Sequence, residues 1–305
     1  MVKNMDQDKI NIIAKTDFFK DAINDIENLE QISDNKIKVD LDKLSYVLGF
    51  YPINDYDNLV RENSINNYLA NIGLNSLDLY EIGIMPDINK SYKVFEYRKE
   101  SSLKDFLNSS TKEESYKIGF KFGDILKNLH LKKVRDYNHG DWYKNIQTKL
   151  NLLLYRQGLN KNNDLNDYIL IDYLNDNLYI CQNTSPNILY QNLSDKNIRV
   201  YDYKELDIRG LKEIKIGDGV SDFVSINKIA IDHPDFARGV FHSYHEGELV
   251  SRKFYRLLSF YQAFVILKSL IDIREKKKSY LNEDQIKQIL DFYSDFSEIV
   301  PSWIR

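Results

Sequence analysis

Apolar positions along the chain change period near residue 111, and that change divides the elements into two groups. Before it, the aromatic and β-branched run SYVLGFY at residues 45–51 predicts a strand, and YKVFEYR at residues 92–98 predicts another. Between them Leu59, Ile65, Leu69 and Ile72 follow a helical period that starts at Tyr56 and stops at Gly73. Residues 17–31 keep neither period and read as a helix or an irregular segment.

Past the change, Thr111 and Glu114 form a capping box, because each side chain can satisfy the other's free backbone donor. Ile118, Phe122, Ile125, Leu126 and Leu129 then make one apolar stripe. Gly119 and Gly123 lie a turn apart on that helix and permit close backbone approach. Helices follow at 142–157 and 165–176, and two short strands at 187–191 and 197–203 flank a turn at 192–196. After residue 220 the chain reads as helical to its end. This order predicts an α+β class in two lobes: a strand-rich one over residues 1–97 and a mainly helical one over 98–305 that carries the hairpin.

Composition alters this picture chiefly by exclusion. The 305 residues are 43% hydrophobic and 29% charged, as in globular chains. The net charge of -4, from 42 basic and 46 acidic residues spread along the chain, offers no basic face for nucleic acid. Lys276 to Lys278 reads as a solvated helix end. No apolar run approaches the roughly 18 residues that cross a bilayer, so no membrane partner is expected. The start, MVKNMDQDKINIIAK, lacks the layout of a secretion signal, which makes the expected location cytoplasmic. A single cysteine, Cys181, excludes an internal disulfide and a multi-thiolate metal site, and reads as a small buried residue.

The chemistry concentrates in ICQNTSPNILYQNLSDKNIRVYDY, residues 180–203. Phosphoryl transfer needs a group that orients or deprotonates the acceptor hydroxyl, and oxygen ligands that hold Mg²⁺ against the nucleotide phosphates. In kinase-type sites a catalytic Asp and a metal-binding Asn stand five residues apart, and a hairpin delivers a second metal-binding Asp. Asn187 and Asp202, fifteen residues apart, fit the last two places.

Several stretches together resemble the aminoglycoside phosphotransferase and choline-kinase-like family, in its bacterial small-molecule kinase branch, over roughly residues 44–303. YVLGFYPINDYDNLVREN is similar to its lysine-bearing strand and following helix, and YKVFEYRKESSLKDFL to its inter-lobe linker. GFKFGDILKNLH resembles its glycine-spaced helix ending in Leu-His. IGDGVSDF, HPDFARGVFHSYHEGE and ILDFYSDFSEIVPSW resemble its C-terminal helices. The resemblance implies a two-lobed protein-kinase-like fold, ATP and Mg²⁺ as cofactors, and a small-molecule hydroxyl as acceptor. Glu62, Phe95, Glu96 and Tyr97 then fall at nucleotide-side positions, and Asn187 and Asp202 at the metal.

Departures from the family pattern are concentrated where chemistry would occur. The position of the catalytic Asp falls on Gln182, or on Asn183 if one residue is deleted, and neither side chain accepts a proton. Gly49 takes the place of the phosphate-clamping Lys or Arg, which leaves Glu62 without an evident partner and favours a solvated helix residue there. Residues 1–48 contain no glycine with which to build a phosphate-covering loop. Gly217-Asp218 comes later than the pattern expects, implying an insertion around 205–214; Asp222 is the competing metal Asp, although Asp218 and Asp222 align better with the following helix.

Other polar residues have structural readings. His139-Gly140-Asp141 lacks a hairpin after it, so Asp141 reads as the cap of a helix beginning at Trp142. His242, His245 and Glu246 lack a recognisable further ligand for a metal, His130 reads as structural, and residues 253–264 read as a core helix. The expectation is an aminoglycoside-phosphotransferase-like kinase homologue with impaired or absent catalysis and a binding or regulatory role. The alternative is an active ATP- and Mg²⁺-dependent phosphotransferase. Under either, a small molecule or nucleotide is the partner.

Overall fold

Alternating side chains on β2, residues Lys36–Leu41, put one row into a core and leave the other half-buried, as a pleated strand allows. The computed structural model describes residues 7–71, 78–132, 134, 139–159, 165–190, 197–201, 205–208 and 215–305. In chain order the first elements are α1 (Gln7–Ile13), β1 (Ile26–Ser33), β2 (Lys36–Leu41), β3 (Leu44–Pro52) and α2 (Tyr56–Asn71). Next come β4 (Leu79–Met85), β5 (Lys90–Glu96), β6 (Glu100–Ser102), α3 (Leu103–Ser109) and α4 (Lys112–His130). The middle holds α5 (His139–Leu159), α6 (Leu165–Asn177), β7 (Asn187–Leu189), β8 (Ile198–Tyr201), β9 (Glu205–Ile208) and β10 (Lys215–Gly217). Four helices close the order: α7 (Phe223–Ala230), α8 (Pro234–His245), α9 (Arg252–Arg274) and α10 (Glu283–Phe292).

The chain divides into two units, Met1–Leu103 with Ser194–Glu213, and Lys104–Leu193 with Ile214–Arg305. Strands β8 and β9 thus group with the first unit, whereas the sequence reading placed residues 98–305 together in the second.

In the first unit an antiparallel sheet of order β1-β2-β3-β5-β4 buries Ile37, Val39, Leu41, Tyr46, Leu48, Tyr92 and Val94 against Ile13 and Phe19. The segment read as helical or irregular at 17–31 instead supplies strand β1 from Ile26 onward. Its signal was weak because β1 is a sheet edge, with six of its eight residues exposed. Glu81 ties the N-terminal segment to this sheet, accepting from the Asp17 and Phe18 backbone N–H groups at 3.0 and 2.9 Å and from the Tyr92 hydroxyl. A second sheet, β6-β8-β9, belongs to the same unit.

In the second unit α4 packs along α8 at backbone contact. A Cβ on Gly119 would lie 2.1 Å from the Phe236 carbonyl oxygen, and one on Gly239 2.2 Å from that of Tyr116. The capping box at Thr111 and Glu114 forms as expected. Asn227, fully buried, ties the C-terminus to the core: it donates to Gln262 and Tyr293 and accepts from Trp303 Nε1, each at 2.9 Å. Helix α5 begins at His139, so Asp141 lies in its first turn and does not cap it from outside.

One segment corrects the expectation about apolar runs. Among the described residues α9, with 23 residues and a mean hydropathy of 1.2 over its most apolar window, is long and apolar enough to cross a membrane. Yet 67% of that window is buried inside the protein, as in a core helix. The polar residues Ser259 and Gln262, themselves fully buried, break up the run in the sequence without lowering its mean below that level.

Candidate functional site

The loop that resembles a catalytic loop lies in the second unit. A 3₁₀ turn over Leu178–Cys181 leads into Gln182 and Asn183, both exposed. The Asn183 carbonyl accepts from Lys253 Nζ at 2.5 Å, and residues 181–187 contain no carboxylate. Cys181 is buried, and burial pushes its thiol up to about 12, well away from nucleophilic use.

Asn187 opens β7, and both ends of its amide are held by the fold. Its Nδ2 donates to the His130 carbonyl at 2.7 Å, and its Oδ1 accepts from the Gly219 N–H at 3.1 Å. Among the described residues, the expected pairing of 187–191 with 197–203 is not found. Strand β7 pairs with β10 instead, setting Asn187 opposite Gly217, while β8 pairs with β6 and β9. Asp202 and the expected turn at 192–196 lie outside the described residues.

The β7–β10 pairing brings Asp218 to the end of the strand opposite Asn187. Asp218 is buried, with Oδ1 accepting from the Val220 N–H at 3.0 Å and Oδ2 from the Tyr261 hydroxyl at 2.8 Å. Trp142 Nε1 donates to that same hydroxyl at 2.9 Å. Burial raises the Asp218 carboxyl above the usual carboxylate range. Asp222, the competing candidate, accepts from the Tyr190 N–H at 2.7 Å and meets His130 Nε2 at 3.2 Å. His130 Nδ1 contacts the Tyr244 hydroxyl at 2.9 Å, which fits its structural reading. His242 meets Tyr116 through Nδ1 at 3.1 Å, and His245 packs edge-on against Phe254. Of the two residues that the resemblance assigns to Mg²⁺, Asn187 has both ends of its amide committed to the fold, and Asp202 lies outside the described residues.

The first unit holds a different arrangement. Register sets Lys36 of β2 and Lys93 of β5 on either side of Gly49 in β3, so both lysines share its face of the sheet. Lys93 Nζ lies 3.7 Å from Glu62 Oε1, and 5.4 and 5.5 Å from the ring centres of Tyr51 and Phe95. The expectation that Glu62 lacks a partner is therefore corrected: the cation comes from a neighbouring strand. A cavity of about 180 Å³ opens here, lined by Lys36, Glu62, Asn66, Lys93, Arg199 and Asp207 among others. Asp207, on β9, is fully buried.

A second cavity of about 200 Å³ shares Lys36 and Phe95 with the first and is also lined by Glu96 and Tyr97. Phe95 is largely buried, and Glu96 pairs with Arg98 at 2.6 Å. The Glu96 N–H donates to the Asp78 carbonyl and the Tyr97 N–H to that of Ser45, both at 2.9 Å. The two donors of this linker are thus already used. Between residues 33 and 36 the strands β1 and β2 are joined by a tight turn, with Ser33 paired to Lys36, which explains how the chain manages without glycine there.

Sequence reasoning missed Lys36, Lys93, Asn66, Arg199 and Asp207. Laying strand 45–51 antiparallel against strand 92–98 with Gly49 opposite Lys93 would have exposed the first pair, but neither strand carries that register locally.

No family model and no curated protein matches the chain. Solved structures do. The GDP complex of aminoglycoside 2'-phosphotransferase-IIIa matches with a TM-score of 0.56 at 16% identity, covering 97% of both chains. Aminoglycoside phosphotransferase APH(4)-Ia, in ternary complex with AMP-PNP and hygromycin B, matches with a TM-score of 0.56 at 12% identity, over 86% of this chain and 92% of that one. The streptomycin-ATP ternary complex of APH(2")-IIa matches with a TM-score of 0.51 at 16% identity, over 98% and 97%. The chain therefore has the two-lobed, α+β, protein-kinase-like fold of these phosphotransferases, and at such identities the likeness extends to fold alone.

Proposed function

We propose that this chain is an aminoglycoside-phosphotransferase-like kinase homologue with strongly impaired catalysis, acting in the cytoplasm by binding a small molecule or nucleotide. One observation carries the reading. Around the loop at residues 180–187, no carboxylate occupies positions 182 or 183, and the amide of Asn187, one of the two residues assigned to the metal, is tied into the fold. A general base contributes about 10²- to 10⁴-fold. An Asn187 amide held by the fold adds to that loss, because phosphoryl transfer depends mostly on placing and neutralising charge. The Lys93–Glu62 pair favours a second reading, an active ATP- and Mg²⁺-dependent phosphotransferase acting on a hydroxyl, since it supplies one part of such a site.

Transfer from ATP or GTP to a panel of aminoglycosides, choline and simple sugars distinguishes the two. Rates no greater than background support the impaired reading. Turnover in the range of about 1–100 s⁻¹ usual for kinases would establish the second.

A further inference from the structure

We propose that the outer face of α5 is an interface between two copies of this chain, in which the helix lies antiparallel against its own counterpart. The proposal goes beyond the function given above and stands whether or not the loop at residues 180–187 supports turnover.

Helix α5 is apolar on two sides. Its inner side buries Trp142, Ile146, Leu150 and Leu153 in the second unit, as a surface helix should. Its outer side carries Leu152, Tyr155 and Leu159, spaced three and four residues apart on one stripe, and these are 59%, 66% and 66% exposed. Arg156 does not interrupt that stripe, because its guanidinium reaches Asp272 and Glu275 of the same unit, with Nη2 2.7 Å from each. In the last turn of α5, Gln157 donates to Asp167 at 2.9 Å, which brings the first turn of α6 alongside. Tyr168 and Ile169, the next two residues of α6, are 53% and 40% exposed.

Gly158 marks the same face independently. A Cβ on Gly119, Gly123 or Gly239 would stand 2.1 to 2.3 Å from a carbonyl oxygen of the facing helix, so close packing within the chain requires each of them. A Cβ on Gly158 would meet nothing within 4 Å among the described residues. A glycine inside a helix is destabilising relative to alanine, and packing within the chain does not account for this one. Beside Tyr155 and Leu159 it leaves room for a second helix backbone to approach.

A second copy is the occupant that these features fit. Antiparallel pairing sets Leu152 of one copy against Leu159 of the other and Tyr155 against Tyr155, the self-complementary contact of a two-fold dimer. The area matches as well. At roughly 200 Å² for a large side chain, the five exposed residues present about 550 Å² of mostly apolar surface. Half of a standard interface is about 800 Å², of which homodimers make about 65% apolar, or about 520 Å².

Analytical ultracentrifugation of the full chain between about 1 and 100 μM tests this, since interfaces of this size hold at micromolar concentration or tighter. The wild type should sediment as a dimer by the top of that range. Leu152→Asp combined with Leu159→Asp sets like charges opposite one another between copies, and should weaken dimerisation by at least about a hundredfold. Its far-ultraviolet circular dichroism should match wild type, because both positions are exposed. Should it fail to fold, Gly158→Gln serves in its place. Within one chain that side chain meets no obstacle and favours the helix. Between copies it holds the helices apart, and it should weaken the dimer by at least about tenfold. Leu249→Asp, at a fully exposed residue between α8 and α9, should leave the dimer unchanged.

A monomer throughout the range, or a dimer indifferent to the α5 variants, overturns the proposal. So does a monomeric chain that sediments with phosphatidylcholine vesicles through Leu152 and Leu159, since the face would then belong to a lipid surface.

Discussion

Gly49 in the first unit and Gln182 in the second both stand where the family resemblance calls for a charged side chain, yet their surroundings differ. Gly49 has a lysine on each flanking strand, in register and on the same face, and one of them meets Glu62. Gln182 sits at the end of a 3₁₀ turn in a loop without carboxylates. Asp218 and Asp222 of the same unit are buried, and both hold backbone N–H groups. The contrast follows from geometry. Neighbouring strands repeat positions about 5 Å apart, so a side-chain role can move sideways across a sheet. A loop position has no such equivalent, and a carboxylate that already holds backbone donors cannot leave them without exposing a deficit.

The largest test of that contrast is Asp222→Ala. Removing this carboxylate strands the Tyr190 N–H and the His130 ring in the core, and urea unfolding should show a loss of about 3–5 kcal/mol. A loss under about 1 kcal/mol would mean that the carboxylate is spare, and the contrast between the units would fail.

A smaller, pH-dependent effect is expected at Asp218. Burial raises its carboxyl above the ordinary value of 3.8, so the folded state holds its proton longer than the unfolded chain does. The stability this contributes is complete below 3.8 and is lost as pH rises through the folded-state value. Asp218→Asn cannot titrate. Its melting temperature relative to wild type should therefore climb as pH rises from the ordinary value of 3.8 through the folded-state value; a difference that stays constant from acid to neutral pH would show that burial does not govern this group.

The smallest effect is expected from restoring an acid to the loop. Gln182→Asp should raise phosphoryl transfer by less than about tenfold, because the Asn187 amide remains committed elsewhere. A gain of about 10²-fold or more would show that the base alone was missing and that the two units differ by one residue only.

Much of the fold was legible because its signals are local. The Thr111–Glu114 box lies within one turn, and Gly119 and Gly123 mark a helix face whatever that face meets. The strands at 45–51 and 92–98 appear close to their expected places, as β3 and β5. Strand β1 was missed because a mostly exposed edge strand keeps no apolar alternation. The expected hairpin at 187–203 illustrates the harder case: both segments are strands, but each pairs with a different partner.

The sequence by itself determined the α+β order, the caps and glycine contacts of the helices, and the absence of an acid at residues 182 and 183. Only the tertiary structure decided that β7 pairs with β10, that Asp218 and Asp222 are locked into the core, and that Lys93 stands beside Glu62. The physical reason is the range of the determining contact. Helix periods and caps are settled within a few residues, whereas strand partners and the ion pairs they create join positions that are distant along the chain and meet only when the sheet closes.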